Sequence, residues 1–257
     1  MAMIFDSHAH YDSEAFDADR DELLVSMREK GVGGVINAAS DAISAVRSVE
    51  LARRYPFVWA AVGVHPEEAG RAEQSDLDAL RRLAADPRVV AVGEIGLDYH
   101  YEDACPRERQ LFWFRRQLEL AAELGLPVII HDREAHEDTL RLLQEYRPKG
   151  VLHCFSGSVE MLRDVMALGM YIGLGGVVTF KNARRPLEAA QAVPADRLLL
   201  ETDAPYMAPV PFRGQRCDSS MIAVTAERIA QLRGITAEGL LKQTADNTCR
   251  LFGIRLP

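Results

Sequence analysis

Short apolar runs recur along the whole chain, and segments with a helical pattern separate them. The runs are rich in β-branched residues and are apolar on both faces, which is typical of strands in a parallel sheet covered on both sides. Eight such runs predict eight strands, at residues 3–8, 33–39, 58–65, 89–96, 127–132, 150–155, 170–176 and 197–203.

The segments between the runs carry apolar side chains at helical spacing and end at glycine or before proline. The segment before Pro87 is predicted to begin with a Ser75/Asp78 pair, which is similar to a capping box. Two further amphipathic helices are predicted after the eighth strand, around residues 220–233 and 237–251.

Strands that alternate with helices predict a parallel sheet. Eight strands in 257 residues favour closure of that sheet into a (β/α)₈ barrel of the TIM type over an open sheet. No G-x-G-x-x-G sequence follows the first strand, so the nucleotide-binding form of the open sheet is not supported. The chain has no linker and no change of composition, and we therefore expect one domain over residues 1–257 with an extra C-terminal helix.

Composition and charge limit the classes of function. No apolar stretch approaches the length of a membrane span, and the N-terminus does not have the pattern of a secretory signal. The four cysteines are far apart, which is typical of reduced residues and predicts a cytoplasmic protein. The net charge of −8 argues against a broad nucleic-acid-binding surface, which is normally basic, but it leaves room for a local site with bound metal.

The histidines are the first indication of chemistry. Five of the seven lie at the carboxyl ends of predicted strands, which is the face where barrel enzymes build their active sites. They are His8, His10, His65, His131 and His153.

Acidic residues follow the same distribution, with Glu94 on the fourth strand and Asp203 on the eighth. A barrel mouth ringed by imidazoles and carboxylates predicts a metal-dependent hydrolase. The predicted ligands are His8, His10, Glu94, His131, His153 and Asp203.

Other residues near these ligands have different predicted roles. His65 could bind metal, although contact with substrate is the favoured interpretation. Asp6 shares a face with the ligands but lies deeper, and we expect it to hydrogen-bond rather than to coordinate. Glu201 is expected one layer below Asp203. Cys154 is expected to point away from the site as a small buried residue.

These residues lie within motifs that together resemble the TatD family of metal-dependent deoxyribonucleases. The motifs occur in order from residue 6 to residue 253: "DSHAH", "GVHPEE", "VGEIGLDYH", "RERQLFWFRRQLELA", "LPVIIHDREA", "HCFSG", "LLLETDAPYMAPVPFRG" and "NTCRLFG". After "PFRG" the chain reads "QRCDSSMIA" where the family commonly continues Lys-Arg-Asn-Glu-Pro. This departure is expected to affect substrate contacts rather than metal ligands.

The resemblance implies a (β/α)₈ fold and a centre of two divalent metal ions. In the family pattern, Glu94 bridges both ions, and the remaining ligands divide into a first set of His8, His10 and Asp203 and a second set of His131 and His153. Zn²⁺, Mn²⁺, Co²⁺ and Mg²⁺ all remain open as the metal. No lysine occurs in the eight predicted strands, which agrees with a glutamate bridge rather than a carboxylated lysine.

The leading functional prediction is hydrolysis of DNA phosphodiester bonds by a monomeric enzyme, near strand ends because a barrel mouth is a pit. Asp203 is the expected proton acceptor, alongside Glu94 as a catalytic bridge. Arg133, Arg213 and Tyr99 are the candidate substrate contacts, together with His65. An amide, ester or lactone hydrolase, or a deacylase of aminoacyl-tRNA, would use the same centre. A non-catalytic metal-binding scaffold is the third hypothesis.

Overall fold

The structure of this chain, a computed structural model, describes residues 3–101 and 105–256. Eight strands form one parallel sheet in the order of the sequence. We number them β1 to β8: Ile4–Ala9, Val32–Ala38, Val58–Val62, Val89–Asp98, Val128–Arg133, Gly150–Leu152, Tyr171–Leu174 and Leu198–Leu200.

Helices connect consecutive strands and continue after the last one. Within the described residues they are α1 to α9: Arg20–Glu29, Ala42–Arg54, Gln74–Leu83, Arg107–Leu124, His136–Tyr146, Val159–Ala167, Arg184–Ala192, Ile222–Arg233 and Ala237–Phe252. Short 3₁₀ helices occupy Glu14–Phe16, Gly176–Thr179, Ala195–Arg197 and Ser219–Met221.

The sheet closes into a barrel where β8 meets β1. The N–H of His10 donates to the carbonyl of Ala204 at 2.7 Å, and the N–H of Asp203 donates to the carbonyl of His8 at 3.0 Å. A parallel bridge joins Ala9 to Ala204. These contacts confirm the predicted (β/α)₈ barrel, and they place the residues after β8 directly beside the end of β1.

One buried cluster takes side chains from all eight strands and from α9, and so fills the barrel at the end opposite the mouth. Asn247 of α9 donates to the carbonyls of Ala195 and Leu198, both at 2.8 Å, just before and at the start of β8. The predicted extra C-terminal helix is therefore present, and it covers the amino-terminal end of the barrel.

The sequence prediction of one helix start was wrong. Helix α3 begins at Gln74, and its capping box is formed by Glu73 and Asp76 rather than by Ser75 and Asp78. An acidic side chain at Glu73 serves as the cap, which the preference for serine at this position did not indicate.

No helix in the described ranges is both long and apolar enough to cross a membrane.

Candidate metal centre

The side chains predicted as ligands lie together at the mouth of the barrel. They come from strands β1, β4 and β5 or from the residues directly after β1, β6 and β8, where parallel strands end at one edge. The set is His8, His10, Glu94, His131, His153 and Asp203.

Glu94 is the centre of this arrangement because its two carboxylate oxygens face different imidazoles. Oε2 lies 3.2 Å from Nε2 of His8 and 3.5 Å from Nε2 of His10. Oε1 lies 2.8 Å from Nδ1 of His131 and 2.6 Å from Nε2 of His153. A carboxylate in this position can bridge two cations, one on each side.

Asp203 and His65 extend the two sides. Oδ1 of Asp203 lies 3.2 Å from Nε2 of His10 and 3.7 Å from Nε2 of His8. Nε2 of His65 lies 3.5 Å from Oε1 of Glu94, although β3 ends at Val62 and His65 belongs to the loop that follows. The geometry keeps both interpretations of His65 open, as a ligand and as a substrate contact.

The donor set fits divalent cations. Nε2 of His8 lies 3.0 Å from Nε2 of His10, and Nδ1 of His131 lies 3.2 Å from Nε2 of His153. Lone pairs of neutral imidazoles repel at such distances unless a proton or a cation lies with them. Imidazoles with carboxylates and no thiolate suit Zn²⁺, Mn²⁺ or Co²⁺.

Burial and charge act against each other on the ionisable groups here. Burial disfavours ionised Glu94, but the imidazoles of His153, His8 and His65 and the hydrogen bond with His131 outweigh it and hold the pKa of this carboxyl well below its usual range. Glu94 is therefore a carboxylate at neutral pH, as a bridging ligand must be.

Two imidazoles are oriented by partners outside the ligand set. Nε2 of His131 lies 2.9 Å from Oδ2 of Asp98, which is buried, and Nδ1 of His10 lies 2.8 Å from the carbonyl of Ala38. Such partners fix the tautomer and the ring orientation of a metal-binding histidine. The sequence reasoning missed Asp98, although it lies four residues after Glu94 on the same strand and an even spacing indicates the same face.

Asp6 supports the backbone beneath the site. Its carboxylate accepts hydrogen bonds from the N–H of His8 at 3.2 Å, from the N–H and hydroxyl of Thr202 at 3.0 and 2.6 Å, and from the hydroxyl of Ser219 at 2.6 Å. It therefore joins the ends of β1 and β8 without touching an imidazole.

Ser219 belongs to the segment in which the chain departs from the family pattern. Its hydroxyl lies 2.8 Å from the hydroxyl of Tyr11, and Cys217 beside it is buried. Neither residue lines the cavity of the mouth. Ser219 thus connects the altered segment to Asp6, whereas Gln215 and Arg216 at its start are exposed.

Glu201 lies below the ligands, as expected. It is buried, and burial raises the pKa of its carboxyl to about 8. Oε1 accepts a hydrogen bond from the N–H of Cys154 and lies 3.9 Å from Nδ1 of His153. Nδ1 of His153 is buried and has no hydrogen-bond partner among the described residues.

The prediction for Cys154 was wrong. Its side chain is half-buried and lines the cavity instead of pointing away from it. The strand alternation used for the prediction does not apply, because β6 ends at Leu152 and Cys154 adopts a left-handed φ of 44°.

The predicted substrate contacts have different surroundings. A cavity of about 780 Å³ opens above the ligands, and both His65 and Arg133 line it. Tyr99 does not line it, because the hydroxyl of Tyr99 donates to Asp138 at 2.8 Å and the ring packs under Arg107. Arg213 is exposed outside the cavity and stacks on a phenylalanine ring.

Comparison with known proteins decides the family. The family described as TatD related DNase matches residues 5–253 of this chain. The chain belongs to the TatD family. Members of this family are metal-dependent hydrolases that act on ester bonds, and this activity is therefore assigned to the chain.

Two relatives align with this chain over nearly its whole length and over all of their own. A metal-dependent hydrolase named YabD from Bacillus subtilis is 41% identical over 255 residues, covering 98% of this chain and 100% of the relative. A protein from Erwinia tasmaniensis named 3′-5′ ssDNA/RNA exonuclease TatD is 39% identical over 260 residues, covering 98% and 100%.

A solved TatD homologue confirms the fold. The crystal structure of YjjV from Escherichia coli superposes with a TM-score of 0.93 at 34% identity, covering 98% of each chain. The barrel and the order of its elements are therefore those of the TatD family.

Proposed function

We propose that this chain is an exonuclease that hydrolyses phosphodiester bonds of single-stranded DNA or RNA from the 3′ end with two divalent metal ions. The observation that carries the proposal is Glu94, whose two carboxylate oxygens face separate groups of imidazoles at the floor of the cavity. The substrate and the direction follow the name of the Erwinia relative.

The ligands are proposed to divide into two sets that share Glu94. His8, His10 and Asp203 would hold one ion, and His131 and His153 would hold the other. Bound divalent ions supply Lewis acidity to phosphoryl oxygens and make a water molecule more acidic. All ligands come from one chain, which supports a monomer as the working unit, with residues 1–257 as one domain.

The protein groups would perform the remaining chemistry. Asp203 borders the cavity and would accept the proton of the attacking water, since a general base must lie within hydrogen-bond reach of that proton. His65, on the other side of Glu94, would contact the leaving oxygen. Asp6 and Glu201 would support the backbone that carries the ligands.

Arg133 would bind phosphate. Its guanidinium borders the cavity, and Nη1 lies 3.9 Å from Oδ2 of Asp98, so that a positive charge is held close to the proposed centre. Arg213 lies outside the cavity, so it would contact a phosphate of the nucleic acid only where the substrate extends beyond the cavity. The acidic net charge is compatible with such a site because the ions and Arg133 provide charge locally.

The test is digestion of single-stranded DNA and RNA labelled at either end, by the metal-loaded protein and by Glu94→Gln. A 5′ label should appear on a descending ladder of products, and a 3′ label should appear at once on a mononucleotide. Glu94→Gln should lower the rate by about a hundred- to a thousandfold, the order that loss of one key electrostatic group costs.

Glu227→Gln is the matched control, because Glu227 is exposed on α8 and the same chemical change should leave the rate unaltered. Absence of any shortened product with Zn²⁺, Mn²⁺, Co²⁺ or Mg²⁺ would contradict the proposal. Cleavage of a simple ester or an aminoacyl-tRNA that depends on Glu94 would keep the metal centre and reject the nucleic-acid substrate.

A further inference from the structure

Exposed apolar side chains gather around the mouth of the barrel. Among the described residues nine large apolar side chains are exposed, and four of the nine line the one cavity above the proposed metal centre. Clusters of this kind on a protein surface mark binding sites. The four are Ile43, Tyr101, Tyr206 and Met207.

Tyr206 lies on the side of the cavity formed by β8 and β1. Its ring is 6.5 Å from the ring of His10 at an interplanar angle of 61°, and its backbone N–H donates to the carbonyl of Asp203 at 2.8 Å. The residue remains 58% exposed. A flat aromatic face is therefore held beside a predicted ligand and is open to the cavity.

Tyr101 lies on the other side, after β4. The guanidinium carbon of Arg133 is 5.0 Å from the centre of its ring, and Arg133 reaches Asp98, the partner of His131. Tyr101 is 51% exposed. His10 and His131 face opposite oxygens of Glu94, so the two tyrosines flank the centre.

We propose that Tyr206 and Tyr101 each stack on one nucleobase, on the two sides of the phosphate to be cleaved. Aromatic side chains bind single-stranded nucleic acid in this way, and they accept every base because each base has a π-face. Arg133, between Tyr101 and the centre, would contact the intervening phosphate. The inference rests on the proposed function and adds to it the groups that select an unpaired strand.

Selection follows from geometry. Bases in a duplex are paired and stacked on their neighbours, and they reach an aromatic side chain only after unpairing, which costs free energy. A strand without a base on one side of the scissile bond would lose one of the two contacts. The enzyme should therefore bind a strand with a base on each side of that bond more tightly than a strand that lacks one of them.

The experiment compares Tyr206→Ala, Tyr206→Phe, Tyr101→Ala and Tyr101→Phe with the wild-type enzyme. Substrates are one single-stranded oligonucleotide and two versions with an abasic site at the terminal or at the penultimate 3′ nucleotide. Phe112→Ala is the control, because Phe112 is an exposed aromatic residue outside the cavity. KM and kcat are measured separately, and metal content is checked for each variant.

On the intact strand each alanine variant should raise KM by about 5- to 150-fold, which corresponds to the loss of one stacked base, and should leave kcat nearly unchanged. The phenylalanine variants and Phe112→Ala should match the wild type. One of the two abasic substrates lacks the base on which a given tyrosine is proposed to stack. On that substrate the alanine variant of this tyrosine should have the same KM as the wild type, because the stacking contact is already absent.

Alanine variants with wild-type KM on the intact strand would overturn the inference. An equal loss on intact and abasic strands would overturn it too, because the tyrosines would then act on the enzyme and not on a base. Failure of the proposed function looks different: the wild-type enzyme itself would leave every oligonucleotide uncut.

Discussion

Asp98 illustrates how a single buried carboxylate can set the properties of a metal ligand. Oδ2 of Asp98 lies 2.9 Å from Nε2 of His131. The backbone N–H of Asp98 donates to the side-chain oxygen of Gln110 at 2.8 Å. The arrangement holds the ring of His131 with Nδ1 towards Glu94. Asp98 is therefore a positioning residue for one of the predicted ligands.

Replacing Asp98 by Asn should weaken metal binding by about 10- to 100-fold, because loss of such an outer partner costs this much affinity. Titration calorimetry of the metal-free protein with Mn²⁺ or Zn²⁺ measures the affinity directly. Asp138→Asn is the control, because it makes the same chemical change on α5 outside the ligand set and should leave the metal affinity unchanged. Equal affinities for wild type and Asp98→Asn would refute the role.

His136 provides a prediction that depends on pH. Nδ1 of His136 lies 2.6 Å from Oδ2 of Asp132, and this hydrogen bond raises the pKa of the imidazole above its ordinary 6.5. Burial and Arg185 oppose the shift, and Glu134 adds to it. A histidine with a raised pKa in the folded state stabilises the fold fully below the unfolded pKa, and this stabilisation is lost as the pH rises through the folded pKa.

The difference in free energy of unfolding between wild type and His136→Gln should therefore be largest below pH 6.5 and should shrink at higher pH. Urea denaturation across the pH range measures it, and effects of the metal ligands cancel because both proteins contain them. A difference that stays constant with pH would show that the hydrogen bond does not depend on the charge of His136.

At the scale of elements, the number and order of the strands could be predicted, but their ends could not. Runs of apolar residues predicted β6 to residue 155 and β8 to residue 203, whereas the strands end at Leu152 and Leu200. The backbone leaves the sheet there because side chains distant in sequence bind it: Glu201 accepts from Cys154, and Asp6 from Thr202. A local pattern contains no information about such partners.

Helix α9 is an element whose role could be predicted only in part. The sequence predicted its apolar face, but nothing in the sequence indicated that Asn247 would be buried and hydrogen-bonded. It is fully buried and provides the two hydrogen bonds to the chain that enters β8. The helix is thus fixed to the amino-terminal end of the barrel, far from the mouth.

Asn247→Ala should lower the free energy of unfolding by about 2 to 4 kcal/mol, because it leaves two carbonyls without their donor. Asp246→Ala, the neighbouring residue in an exposed pair with Lys242, should change it by less than about 1 kcal/mol. Urea denaturation gives both values. An Asn247→Ala protein as stable as Asp246→Ala would contradict the account of α9, and metal affinity should be unchanged in both variants.

For the whole molecule, the sequence predicts the fold and the group of ligands better than the surface that meets substrate. Histidines and acids at strand ends meet because a parallel barrel brings those ends together, and this needs no knowledge of individual contacts. Tyr99 and Arg213 were predicted as contacts from their places after strands, yet a hydrogen bond to Asp138 and a stacked ring hold them outside the cavity. Loop conformation decides such cases.

Metal should stabilise the whole barrel, because the ligands join five strands that are distant in sequence. At a free ion concentration about one hundred times Kd, the melting temperature should rise by about 5 to 10 °C over the chelated protein. Differential scanning calorimetry measures this shift. Glu94→Gln should lose most of it, and an equal melting temperature with metal and with chelator would contradict the proposed centre.

The most direct measurement for the central claim is a titration of the metal-free protein with Mn²⁺, in which bound ions are counted while hydrolysis of single-stranded DNA is followed. If two ions share Glu94 and both act on the phosphodiester, little hydrolysis should accompany the first equivalent, and the rate should rise with the second. A full rate with one ion bound, or no hydrolysis with two, would contradict the proposal that this chain is a two-metal nuclease.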